Sequence, residues 1–478
     1  MEKILSREPG WAGASAAPAK EFGPVSLKVI SGAVPPGLRG TLYRNGPARL
    51  VRGGQRVGHW FDGDGAVLAV HLKPDAPDVT ATYRYVQTAG ALMEEKAGEF
   101  LLGGYGTMPV GSWWQRWGKG VKNAANTSVL ALPDRLLALW EGGHPHALDL
   151  ETLATWGTDD LGGLAARECY SAHPKRDPKT GEIYNFGIQP GLLNSQLVVY
   201  RSGANGKLKQ RLAVPVAGVP LVHDFAIAGQ YLVFFIPPVR VQMLPVVLKW
   251  KTYSDALVWQ PNLGTQILMI DRDRLEVVAQ GSAPPWYQWH FGNGAEDADG
   301  NLVLDLVLYQ DFQTNQYLQE VATGKTTTAA VGKLWQVRLD PRRGELLERR
   351  ELLDRPCEFP SVDPDVLGLG GRWTYLSLHR LGVDISREMF GAIGRFDSQT
   401  GVLQESDLGY RRYPTEPIYA PDADGERGWV LTVVYDANLH QSEVWIFNAE
   451  AIEGEPQCRL ELPEVVPMGF HGTWRQRG

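Results

Sequence analysis

Pro220-Leu221-Val222-His223-Asp224-Phe225-Ala226-Ile227 sets a single imidazole inside an apolar stretch that resumes at Tyr231-Leu-Val-Phe-Phe235. A buried polar group without a partner costs about 1–3 kcal/mol. His223 must therefore be either an ordinary core histidine bonded to a backbone carbonyl, or a ligand; taken alone, the first is the commoner outcome. Three more histidines stand in similar settings: Ser171-Ala172-His173-Pro174, Tyr287-Gln288-Trp289-His290-Phe291 and Gly469-Phe470-His471-Gly472. All four lie far apart in sequence, each in a short aromatic, small-residue or glycine-bearing segment. The pattern predicts four separate strands that converge on one point.

Working outward, turn signals such as Pro35-Pro36-Gly37, Asn45-Gly46-Pro47 and Asp299-Gly300-Asn301 alternate with short β-rich runs. The runs include Gln196-Leu-Val-Val-Tyr200, Gln266-Ile-Leu-Met-Ile270 and Trp429-Val-Leu-Thr-Val-Val434. Strands of about five residues between Gly/Asp/Asn/Pro turns point to an all-β sandwich, barrel or propeller. Several runs end in aspartate and a turn (Leu148-Asp149, Ile270-Asp271, Leu339-Asp340, Phe396-Asp397), which resembles a blade repeat. Over 478 residues a propeller closes better than a sandwich. Helical periodicity is scarce, and only 86–123 and parts of 237–258 are expected to be helical or irregular. Residues 1–22, rich in Ala, Gly and Pro, are expected to form a loose arm ahead of one domain over 23–478.

A net charge of −7 gives no electrostatic case for nucleic acid. With 44% hydrophobic residues the chain can build a large core. Cys169, Cys357 and Cys458 are odd in number and widely spaced, which predicts reduced thiols in a cytoplasmic protein. No basic segment followed by an apolar core opens the chain, and no uncharged apolar run reaches the roughly 20 residues a spanning helix needs.

Several motifs fall away. Asp62-Gly63-Asp64-Gly65 begins like a calcium loop, but its twelfth position is Lys73 where a glutamate is needed, so a hairpin turn is expected. Leu367-Gly-Leu-Gly-Gly-Arg372 lacks the lysine of a phosphate loop and reads as a turn. No GxSxG elbow occurs. Of the remaining histidines, His144 and His146 follow Gly142-Gly143 and read as solvated or local. His59, His71, His379 and His440 have polar neighbours that predict the surface. Imidazole suits iron, copper, zinc and nickel alike, so ligand type does not choose a metal. Glu141, Glu358 and Glu416 stand among apolar and proline residues. Each would either take the outer N–H of a metal-bound histidine or pair with an arginine such as Arg355 or Arg411.

Gly40-Thr-Leu-Tyr-Arg-Asn-Gly-Pro47, Phe61-Asp-Gly-Asp-Gly65, Glu94 to Gly98 (EEKAG), Asn123-Ala-Ala-Asn-Thr127 and Leu136 to Gly143 follow one another in a fixed order. With Ser171-Ala-His-Pro174, His223-Asp224-Phe225, Glu358-Phe-Pro360, Glu416-Pro417 and Phe470-His-Gly472, the chain resembles the carotenoid cleavage oxygenases, nearest the bacterial apocarotenoid oxygenases. Trp289-His290-Phe291-Gly292-Asn293 departs in part from the family pattern, which usually has His-His or Phe-His there.

The resemblance implies a seven-bladed β-propeller with an irregular, partly helical cap (about 86–123 and 231–258) over an iron-bearing face. It implies Fe(II) held by His173, His223, His290 and His471, with Glu141, Glu358 and Glu416 orienting three of the imidazoles. It also places the Thr127 methyl near one iron position, with O2 as co-substrate and an apolar polyene as substrate. Residues 100–118 and 231–250 mix Leu, Phe, Trp and Pro with Arg and Lys, the makeup of a peripheral membrane patch or of a cap and tunnel lining. The family also contains stilbene-cleaving members that use a cap tyrosine and lysine. Lys122 matches that lysine, but between Thr88 and Glu94 the chain has Ala89-Gly-Ala-Leu-Met93 and no phenol. The expectation is cleavage of a linear apocarotenoid, with hydroxystilbene cleavage as the alternative.

Overall fold

The computed structural model describes residues 9–73, 78–191, 194–423, 425 and 427–476. Seven antiparallel sheets of four to six strands follow one another along the chain, the seven-bladed propeller that the resemblance implies. Within a blade, burial grades from axis to rim. Tyr231–Ile236 is almost wholly apolar because it lies between Ala226–Ala228 and Thr265–Asp271, with neighbouring blades over both faces. The rim strands Leu208–Ala217 and Glu345–Leu353 are largely exposed and carry the charge. Period-two alternation is therefore weak in the inner strands and absent where both faces are covered.

Both chain ends stitch the ring. Lys28–Gly32 pairs with Cys458–Glu461 in the last blade, while Gly472–Gln476 pairs with Gly40–Arg49 in the first. Where the chain's ends cross, Gly46 approaches Gly469 so closely that a β-carbon would stand 2.4 Å from the Gly469 Cα. This explains the glycine of the Arg-Asn-Gly-Pro motif.

The loose arm expected over 1–22 is corrected from residue 9 onward; residues 1–8 lie outside the described residues. Gly10–Ser15 forms a 3-10 turn, and Trp11 is fully buried with Leu50, Phe100 and Tyr413. Its Nε1 donates to the Arg387 carbonyl at 2.9 Å. A single tryptophan buries enough area to anchor an otherwise weak segment. Three of the four histidines expected at the surface are also corrected. His59, His71 and His379 are core residues, as is His146, and only His440 is exposed. His71 Nδ1 shares a hydrogen bond with Thr41 Oγ1 at 2.9 Å, and burial pulls His59 down to about 3, so it is neutral.

Asp62-Gly-Asp-Gly is not a hairpin turn. Asp62 closes a 3-10 turn, and its carboxylate accepts from Gly106 N and Thr107 Oγ1 at 2.9 and 2.6 Å, holding the cap. Asp64 opens the buried strand Asp64–Leu72. The cap contains the helix Ala89–Ala97, started by Thr88 Oγ1 accepting from Ala91 N and ended by Gly98 at φ +74°. The short helices Trp113–Arg116 and Met243–Val247 also belong to it. The expected cap segment 231–258 is too long by one strand, because 231–236 is blade interior. A further helix, Gln313–Val321, was not expected from the sequence.

Candidate metal centre

Every blade brings the entry to its axial strand to one place. In chain order these are Thr127 before Ser128–Ala131, His173 before Lys175–Arg176 and His223 before Ala226–Ala228. His290 lies within Tyr287–Glu296, Glu358 within Cys357–Ser361, Glu416 before Ile418–Pro421 and His471 before Gly472–Gln476. Glu141 reaches the same region from the turn after Leu136–Leu139.

The four imidazoles are buried, with ligand atoms all within 4.8 Å of one another. Nε2 of His173 is 2.9 Å from that of His223, which is 3.3 Å from that of His290, itself 3.1 Å from that of His471. Among His223, His290 and His471 these are not hydrogen bonds. Nδ1 of His290 donates to Glu358 Oε2 at 2.6 Å, and Nδ1 of His471 donates to Glu416 Oε1 at 2.9 Å. Glu141 Oε1 contacts Nδ1 of His223. A neutral ring whose proton sits on Nδ1 presents only a lone pair at Nε2. Three such lone pairs facing one another repel unless they share a cation. A metal–imidazole bond of about 2.1 Å puts ligands at right angles about 3.0 Å apart and tetrahedral ligands about 3.4 Å apart. The observed spacings lie nearer the right-angled set, so the donor set fits one metal ion.

Burial keeps His173 and His471 toward the neutral form. Burial, then the three neighbouring imidazoles, holds His173 well below the usual histidine range. Burial also lowers His471, against the opposing pull of Glu416. For His290, burial disfavours the charged ring, but Glu358 with Asp224 and Glu416 more than offsets it and raises its proton affinity. Burial opposes ionisation of Glu416, but His471 and Arg44 together hold its carboxyl below the ordinary range. Arg44 is itself buried, lies 3.3 Å from Glu416 Oε2, and donates to the Glu416 and Phe470 carbonyls. For His173 the nearest carboxylate oxygen is Asp224 Oδ1 at 4.0 Å, beyond hydrogen-bonding reach.

Asp224 does something else. It pairs with Lys175 at 3.0 Å and accepts from Phe291 N at 3.0 Å, tying the His223 segment to the strand that carries His290. Sequence reading quoted Arg44 and Asp224 inside motifs without giving them this work. Arg355 pairs with Glu405 instead of Glu358. Thr127 Oγ1 donates to Asn126 Oδ1 at 3.1 Å, which fixes its rotamer. Asn126 in turn donates to the carbonyls of Phe61 and Gly63.

Aromatic rings wall the centre. Phe359 stacks on His290 with centroids 5.4 Å apart, and Trp289 meets His223 edge-on at 4.7 Å. Phe61, Tyr105 and Tyr253 continue the wall outward. Phe359 takes φ +55°, a left-handed backbone unusual for an aromatic residue, of the kind that collects at functional sites.

The sequence profile of the retinal pigment epithelial membrane protein family matches residues 16–476. The chain belongs to this family, the carotenoid cleavage oxygenases. It is 32% identical to the apocarotenoid-15,15′-oxygenase of a Synechocystis strain, over 94% of this chain and 92% of that one. A resveratrol cleavage oxygenase of Aspergillus fumigatus is 27% identical over 96% and 93% of the two chains. Among solved structures, a cobalt-substituted Synechocystis apocarotenoid oxygenase superposes with a TM-score of 0.89 at 31% identity, covering 98% of each chain. Of the expected residues of this carotenoid cleavage oxygenase, all four histidines and all three glutamates meet at one centre, with Thr127 on the adjoining blade.

Proposed function

We propose that the protein is a non-haem Fe(II) dioxygenase that uses O2 to cleave one C=C bond of a linear apocarotenoid, giving a retinal-type aldehyde and a second carbonyl fragment. His173, His223, His290 and His471 would hold the iron. Iron, when bound, supplies a place to activate O2 beside the double bond. The bookkeeping of the reaction is simple: the C=C bond breaks, each carbon takes one oxygen atom, and no external reductant is needed. Glu141, Glu358 and Glu416 keep the ring protons on Nδ1 and offset the ion's charge without using a ligand position. Thr127, its hydroxyl tied to Asn126, would turn its methyl toward one open position. The aromatic wall keeps water away and offers a polyene the roughly 0.8 kcal/mol per buried CH2 that binding without polar contacts requires.

One observation carries the choice of substrate. Lys122 is buried, with Nζ 2.6 Å from Asp64 Oδ1 and 2.9 Å from Glu94 Oε2. Its ammonium is already committed to two carboxylates, and no phenol stands between Thr88 and Glu94 to pair with it. Tyr105, in the same wall, gives its proton to Asn315. A 4-hydroxystilbene would therefore find neither Lys122 nor Tyr105 free to draw off its phenolic proton. Assayed on a panel, the iron-loaded protein is expected to turn over apocarotenals or their alcohols of C25 to C30 at least 10-fold more efficiently in kcat/KM than 4-hydroxystilbenes. The reverse order assigns it to stilbene cleavage.

Delivery of so apolar a substrate supports a peripheral membrane contact. Trp113, Trp114 and Trp117 are exposed on one cap segment; Leu244, Val247 and Trp250 are exposed on another, at 68%, 56% and 69% for the last three. Lys249 Nζ reaches the Lys119 carbonyl at 3.4 Å, so the two segments adjoin. Phe234 and Phe235, within the stretch first expected in such a patch, are blade core and take no part. Among the described residues no helix is long and apolar enough to cross a membrane. Replacing Trp114, Leu244 and Trp250 together by Ser is expected to abolish co-flotation with liposomes while sparing turnover of detergent-dispersed substrate. If the unaltered protein does not float, these residues serve only as a cap.

A further inference from the structure

The three carboxylates behind the histidines are not equivalent. Glu416 is backed by the Arg44 guanidinium, whereas Glu141 is the most exposed of the three. Glu358 is backed by a chain of uncharged groups. Tyr309 Oη donates to Glu358 Oε1 at 3.1 Å, while Oε2 of the same carboxylate takes the His290 proton. The Thr314 side chain lies beside the Tyr309 hydroxyl. Thr314 Oγ1 also accepts from Trp289 Nε1 at 2.9 Å. Tyr309, Thr314, Trp289 and Glu358 are all buried.

The chemistry of the two ends constrains the protons between them. An indole N–H only donates, so Thr314 must accept there and has its own proton left for Tyr309. An ionised carboxylate only accepts, so Tyr309 must give its proton to Glu358, and Glu358 must take one from His290 Nδ1. Trp289 donates to Thr314, Tyr309 donates to Glu358, and His290 donates to the far oxygen; a Thr314 proton turned to Tyr309 joins the two halves. Trp289 is also the residue next to His290 and packs on His223, so the chain begins and ends beside His290.

We propose that Tyr309 and Thr314 are positioning residues of the metal centre, acting through Glu358 to hold His290 in its Nδ1-protonated form with Nε2 aimed at the metal. Neither touches the metal or the reacting atoms. The short helix turn that delivers Thr314, at the start of Gln313–Val321, thereby becomes part of the site. The inference rests on the four-histidine metal centre proposed above.

The test is iron dissociation from the holoprotein into a chelator, together with the visible spectrum of the cobalt-substituted protein. Partners behind metal ligands typically contribute about 10- to 100-fold to affinity. One step further out, Tyr309→Phe is expected to speed iron loss roughly 3- to 10-fold and to shift the cobalt bands. Thr314→Val should move both readouts the same way by less, Thr314→Ser should restore them, and the Tyr309→Phe/Thr314→Val pair should be no worse than Tyr309→Phe alone. Tyr413→Phe is the control. It removes an equally buried phenol that donates to Glu388 at 3.0 Å, away from the histidines, and should leave iron loss and spectrum unchanged. If Tyr309→Phe does not fold, the Thr314 pair decides. Unchanged iron loss and spectrum in Tyr309→Phe, or in Thr314→Val where Tyr309→Phe is not obtained, overturns the proposal. Failure of the unaltered protein to hold metal removes instead the reading on which it rests.

Discussion

Iron content falls to background, and turnover with it, when any one of His173, His223, His290 or His471 is replaced by alanine. Each of the four supplies one lone pair to a cluster in which neighbouring Nε2 atoms are 2.9 to 3.3 Å apart, so the removal of one leaves a lopsided three-nitrogen site. The remaining rings lose the cation that makes their close approach favourable. Glu141→Gln, Glu358→Gln and Glu416→Gln are expected to be milder, roughly 10- to 100-fold in metal affinity or rate, because an amide can still meet Nδ1. Of these, Glu416→Gln should be the most damaging to stability, since it also strands the buried Arg44. Metal analysis of the purified variants checks the set, and a histidine variant with full iron content and full activity is struck from it.

The second large effect concerns the cap. Lys122→Met removes the cation shared by Asp64 and Glu94, both of which are buried. Arg52 still pairs with Asp64 at 2.6 Å, so the uncompensated charge falls chiefly on Glu94. Glu94 Oε1 accepts from the backbone of Leu101 and Leu102 at 2.9 Å each, which couples the helix Ala89–Ala97 to the following segment. Breaking one partner out of a buried pair costs about 3–5 kcal/mol. Denaturant unfolding of Lys122→Met should show a loss of that order, and Lys122→Met/Glu94→Gln should recover part of it. A loss below about 1 kcal/mol would mean that water reaches this cluster and screens it.

The histidines were legible because each sits next to a turn or small residue in an oily segment, where an imidazole has few ordinary reasons to be. The glutamates were legible for the same reason, although the residues alone left arginine pairing open. Tyr309 and Thr314 were not, because a phenol in Leu302–Tyr309 and a threonine opening a helix look like ordinary core and cap residues. Their role depends on contacts between blades that no local pattern encodes. Phe234 and Phe235 misled because a strand buried on both faces and an interfacial segment share one composition. Only pairing with Thr265–Asp271 separates them. The polar neighbours of His59 and His71 pointed to the surface, but His71 lies in the buried strand Asp64–Leu72 and His59 packs against Phe61 and Tyr105.

The most direct test of the whole account is the stoichiometry of O2 consumed to aldehyde formed by the iron-loaded protein given an apocarotenal. One O2 taken up for each retinal-type aldehyde, with the second carbonyl fragment in equal amount, is the predicted result. Conversion of the substrate to a geometric isomer or a hydrolysis product, with no O2 consumed, would contradict it.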